Sequence, residues 1–317
     1  MIFPGPSEDG TSAPTVRRPV ITAGLVAGGV LVAVLVAVLG VGIAARGTGE
    51  LRIPGAGGTT VLRGVVFAAL ALHLGELAGR RLARTGPVPR SWAVAAALAG
   101  AIASAGQIGL LAYVSGLDIT AVYGTVDGRL LLVMANGFLI AAGCAATSRP
   151  IRAVAPLVVV VAAEALRAHP EQYTPMLGTG LTVVHLTAAS LWTGSLLYIL
   201  RTMWLRRDDP IGARQVLARY ARIAGWLFAA LAATGTISAL RRLPVDVVFT
   251  TAYGRVLIAK LILIALVSGL ALTARRRLRG GGDAVTPARG ELAVLAVVVL
   301  LSAVLTVVPD PHWLSTR

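Results

Sequence analysis

The chain has one cysteine, one lysine, one asparagine and four histidines among 317 residues. A single thiol, Cys144, permits no intrachain disulfide, and there is no CxxC pair to hold a metal. Acidic residues are scarce, 14 against 29 basic ones, and charged residues of both signs make up 14% of the chain. A soluble domain carries about 25%. Aromatic residues are 5%, so the formal net charge of +15 comes with no basic and aromatic surface for nucleic acid. There is no HExxH, no GxSxG, no Walker A motif and no carboxylate pair at a useful spacing. The sequence therefore reads as non-enzymatic, with nothing to drive ATP-dependent work. Heptads, internal repeats and low-complexity tracts are absent as well.

What the chain has in quantity is apolar surface: 56% of residues are hydrophobic and the mean hydropathy is +0.80. A membrane-crossing helix needs about 20 mostly apolar residues. About nine segments qualify: 20–44, 59–79, 92–113, 129–147, 150–167, 177–200, 222–241, 253–274 and 291–308. The expected fold is all-α, a polytopic transmembrane helical bundle whose first partner is membrane lipid. Residues 1–19 are polar and rich in Pro, Gly and Ser, and read as a disordered cytoplasmic N-terminus. No early positive stretch precedes the first apolar run, and at about 25 residues that run is long for a signal peptide. It reads as an uncleaved first span.

Arginine placement orients the bundle. Arg17, Arg18, Arg80, Arg81, Arg84, Arg149, Arg152, Arg206, Arg207, Arg214, Arg275, Arg276 and Arg277 fall in alternate connections, all on one side if there are nine spans. The intervening connections hold Glu50, Asp118, Asp127, Glu171 and Asp246. The positive-inside rule then puts the N-terminus in the cytoplasm and the C-terminus outside.

Polar residues within the apolar runs carry the functional signal, because each is costly in lipid. Gln107, Asn136, His185, Thr234 and Lys260 each lie six to eight residues, roughly 10 Å, from the outer end of a span. Five helices with a polar group at one depth suggest an outward-facing chamber; interhelical hydrogen bonding is the plainer explanation. Lys260 is the one lysine beside 28 arginines. An ammonium, unlike a guanidinium, can lose its proton. Snorkelling to the interface is the alternative. Tyr253, seven residues earlier, shares its face.

His185 stands in VVHLTAASLWTGSLL, two turns before Trp192 on the same face. Trp192 is too deep for an interfacial residue and reads as packing beneath the chamber, with Ala188, Ala189 and Gly194 allowing a neighbouring helix close. The imidazole is a candidate metal ligand, proton carrier or packing residue. His169, Met176 and His312 lie near the outer side, and imidazole with thioether suits copper better than magnesium or calcium. His73 shares a face with Glu76 in the second span. As a haem pair, His73 and His185 would differ in depth by roughly 9 Å.

The stretches HLTAASLWTGSLL, RYARIAGWLFAALAATG and TTAYGRVLIAKLIL resemble the copper resistance protein D family over residues 175–275. His185, Trp192 and Gly194, then Arg222, Thr234 and Gly235, then Tyr253, Gly254 and Lys260 carry the resemblance. It implies a family-like membrane core at 171–280, preceded by membrane helices over 20–170 and followed by a last span and short outer tail at 281–317. It also implies an inner-membrane (plasma-membrane) protein of copper tolerance or uptake, with an extracytoplasmic copper-binding protein or an oxidase assembly factor as partner. The copper ion would be accepted outside and passed to the cytoplasm. Two alternatives stand beside it: a redox protein holding haem through His73 and His185, and a non-transporting scaffold for oxidase copper assembly.

Overall fold

The computed structural model describes residues 17–309, apart from 52, 85, 148 and 169–173. The described residues are helical throughout, with no strand: α1 (Arg17–Ala44), α2 (Ala56–Leu82), α3 (Ala93–Ser115), the single turn α4 (Ile119–Val122), α5 (Val126–Ala146), α6 (Val154–Ala168), α7 (Pro175–Leu205), α8 (Pro210–Arg242), α9 (Ala252–Arg279) and α10 (Val285–Leu305). Two 3-10 turns, Pro150–Ala153 and Val245–Val247, complete the order.

Helix boundaries follow local chemistry. Pro175 and Pro210 open α7 and α8, where the missing N–H costs nothing. Thr125, Asp209 and Thr251 accept the amides of Gly128, Gly212 and Gly254 at 3.0, 2.9 and 3.2 Å, capping α5, α8 and α9. Asp283, in the loop before α10, accepts from the Thr286 hydroxyl at 2.6 Å and the Val285 amide at 2.8 Å. The Thr286 hydroxyl bond holds the Asp283 carboxyl below its usual range.

Among the described residues, seven helices, α2, α3, α5, α7, α8, α9 and α10, are long and apolar enough to cross a membrane. This is fewer than the nine expected. The segment at 150–167 is a 3-10 turn followed by the 15-residue α6. Its length of roughly 22 Å falls short of the ~30 Å hydrocarbon core. The first expected segment lies within α1, a helix of 28 residues.

Packing is closest between α2 and α7. A Cβ on Gly194 would lie 1.7 Å from the Ala71 carbonyl oxygen, and one on Gly75 would lie 2.1 Å from the Gly194 carbonyl carbon. Only hydrogen fits at either position, which explains the small residues in α7. One apolar core joins α2, α3, α5 and α6 around Leu70, Met134, Phe138 and Leu157. A second joins α7 to α10 around Leu196, Ile199, Tyr220 and Val267. By contrast, α8 and α9 are the least buried spans and scarcely touch each other. Trp226, Leu240 and Ile262 face outward from them, as lipid-facing residues do.

Candidate functional site

The weak contact between α8 and α9 leaves room for polar groups from three helices. His185 of α7 is half-buried, and its Nδ1 lies 2.9 Å from Thr234 Oγ1 of α8. Thr234 Oγ1 also lies 2.7 Å from the Ala230 carbonyl oxygen, one turn earlier. A hydroxyl has one hydrogen, and a carbonyl can only accept. With the Thr234 hydrogen given to Ala230, a neutral ring donates from Nδ1 to Thr234. Nε2 then carries the lone pair. This is the arrangement seen at metal-ligating histidines, where one ring N–H is anchored and the other nitrogen is left to the metal.

Gly235 lies beside the ring. A Cβ there would sit 3.4 Å from His185 Cε1, so the imidazole lies against bare backbone. Lys260 of α9 is buried, lies within electrostatic reach of His185, and has no hydrogen bond or ion pair among the described residues. The site is thus one anchored imidazole, one hydroxyl and one ammonium. No group of three or more His, Cys, Asp or Glu converges anywhere among the described residues.

The chamber expected from five helices contracts to three residues. His185, Thr234 and Lys260 come together. Asn136 is exposed and donates to the Leu132 carbonyl of its own helix at 2.8 Å, outside the chamber. Gln107 is buried on α3, where its Oε1 accepts from Arg167 at 3.3 Å in a different cluster. Tyr253 is buried in the first turn of α9. Trp192 packs edge-on to Phe228, with ring centroids 5.8 Å apart at 82°, and donates its indole N–H to Glu291 at 2.8 Å.

Met176 is 81% exposed and nine residues from His185, which puts it on the opposite face of α7. It does not share a site with His185. His169 and His312 lie outside the described residues. The haem pairing fails on direction. Gly75 and Gly194 face each other across α2 and α7. His73 is about 200° round α2 from Gly75, and His185 about 180° round α7 from Gly194. The two imidazoles point away from one another with both helices between them. His73 is fully buried, and neither ring nitrogen has a partner.

Two buried clusters escaped the sequence reading. On the side bearing the C-terminus of α6, Glu164 Oε2 accepts from Arg167 at 2.9 Å while Arg63 Nε lies 3.2 Å from Oε1. Arg63 also donates to the Thr306 carbonyl at 2.9 Å, and Arg167 reaches Asp127 at 3.7 Å. On the arginine-rich side, Glu291 of α10 meets Trp192 and Tyr220. The Glu-x-x-Arg spacing at 164–167 and a lone glutamate opening an apolar run at 291 were the available signals.

Comparison with known proteins places the second half of the bundle. Residues 214–308 match the family model of copper resistance protein D. No curated protein and no solved structure gave a match. The matched segment spans most of α8 with α9 and α10, and contains Thr234, Gly235, Tyr253, Gly254 and Lys260. His185 lies ahead of it on α7 and joins it through the bond to Thr234. The match reaches further toward the C-terminus than residues 175–275, and takes in Glu291. The chain is a multi-pass helical membrane protein whose residues 214–308 are similar to the copper resistance protein D family.

Proposed function

We propose that this protein handles copper in the plasma (inner) membrane by taking the ion from the outer side at His185 and passing it toward the cytoplasm. The observation that carries the reading is His185 itself: Nδ1 lies 2.9 Å from the Thr234 hydroxyl, which fixes the ring and leaves Nε2 free of it, beside a segment similar to copper resistance protein D. In this reading α1 and α6 join the other seven in a nine-span bundle, with the N-terminus inside and the C-terminus outside, as arginine placement favours.

One imidazole makes a weak site, which suits passage rather than storage. Lys260 adds a positive charge near the ion's position and favours release. Copper is cargo here, and no covalent step is involved. An extracytoplasmic copper-binding protein is the natural donor.

Titration of the purified protein with Cu(I) is the direct test. Wild type is expected to bind about one ion per chain, and His185→Ala to bind none at the same concentration. Equal binding in both proteins would overturn the reading. Lys260→Met, which removes the neighbouring charge, is expected to tighten binding several-fold. Competition against a chromophoric Cu(I) chelator measures it, and weaker binding in that variant would assign Lys260 a different role.

A further inference from the structure

A second polar site lies deeper along the same helices, on the arginine-rich side. Glu291 of α10 is 3% exposed. Its Oε1 accepts the Trp192 indole N–H at 2.8 Å and lies 3.5 Å from the Tyr220 hydroxyl. The carboxyl also lines a cavity of about 30 Å³ with Tyr220, Ala221, Ala224, Ala274 and Arg275. Room of this size admits a water molecule, which needs about 10–15 Å³ by the same measure. Arg275 of α9 crosses this cavity and donates to the Ala221 carbonyl of α8, not to Glu291. The carboxyl is thus held by one uncharged donor, the Trp192 indole; the Tyr220 hydroxyl beside it is shared with the Trp192 carbonyl at 3.4 Å, and the nearby guanidinium is engaged elsewhere.

We propose that Glu291 is a proton-binding station of the bundle, exchanging protons through this cavity on the arginine-rich side. The step is simple: a hydronium ion in the cavity gives its proton to the Glu291 carboxylate, leaving a neutral carboxylic acid and water. The groups facing Glu291 are Tyr220 from α8, Arg275 from α9 and the non-titrating Trp192 from α7.

The same helices carry both sites. Trp192 and His185 share one face of α7, two turns apart. Tyr220 and Thr234 are fourteen residues apart on α8, also close to one face. A shift of α7 or α8 that accompanies an ion at His185 must therefore alter the hydrogen bonds at Glu291. That coupling rests on the copper reading; the proton site does not.

Infrared difference spectra of the purified full chain, taken between mildly acidic and mildly alkaline buffer, test the proposal. Wild type is expected to gain the carbonyl stretch of a protonated carboxylic acid on acidification, and Glu291→Gln to lose that band. A band unchanged by the substitution, or no band in wild type, would overturn the proton site. If Glu291→Gln does not fold, Tyr220→Phe takes its place. It removes one donor and is expected to move the pH midpoint of the band; an unmoved midpoint counts against Glu291. Cu(I) added to wild type is expected to change the band, and added to His185→Ala to leave it unchanged. A copper response that survives in His185→Ala overturns the coupling through His185 and leaves the proton site standing.

Discussion

Glu164→Ala is expected to cost about 3–5 kcal/mol of stability, because it strands two arginines that share one buried carboxylate. Glu164 is 1% exposed, and its two oxygens face Arg63 of α2 and Arg167 of α6. Asp127 cannot take its place: it lies 3.7 Å from Arg167 with its side chain 57% exposed. The same cluster ties in Gln107 of α3 and the Thr306 carbonyl after α10. Losing one carboxylate therefore loosens five helices at one end of the bundle. The loss reads out as a lowered midpoint in detergent thermal unfolding and as poor membrane yield. A triple replacement of Arg63, Glu164 and Arg167 by Met should recover much of the stability, since removing a whole buried ionic cluster is often neutral or favourable. An Ala variant as stable as wild type would show that the arginines reach water unaided.

Gly194→Val is the other substitution with a large expected effect. Even a methyl group at this position would lie 1.7 Å from the Ala71 carbonyl oxygen. The collision is with backbone, so no side-chain rotation relieves it, and α2 and α7 must separate. Overpacking in a core costs about 1–3 kcal/mol where side chains can yield, and this site should lie at or above that range. Because α7 also carries His185 and Trp192, separation would displace both polar sites. Thermal unfolding and Cu(I) binding should fail together in this variant. Normal stability would mean that α2 and α7 do not meet at these glycines.

Much of the architecture was legible in the chain itself. Apolar runs of membrane-spanning length, interrupted by arginine-rich connections, leave helices as the form in which every backbone group is satisfied in lipid. The motifs at 222–260 pointed to the family whose model matches residues 214–308. His185 and Lys260 stood out because each is costly in lipid, and that cost is visible in any linear sequence. Rotation about each helix axis was not visible there. Depth along a span follows from counting residues, but direction depends on which neighbour a helix meets. Gln107, Asn136 and His185 lie at similar depth. Tertiary packing alone turned Gln107 toward Arg167, left Asn136 outside, and brought His185 to Thr234 and Lys260. It likewise joined Glu164 with Arg63 and Glu291 with Trp192, pairs separated by about a hundred residues. Cost in lipid, read along the chain, marks the residues that need a partner there. Packing chose those partners, because side-chain direction is set by helix rotation, and rotation by close contacts such as Gly75 against Gly194.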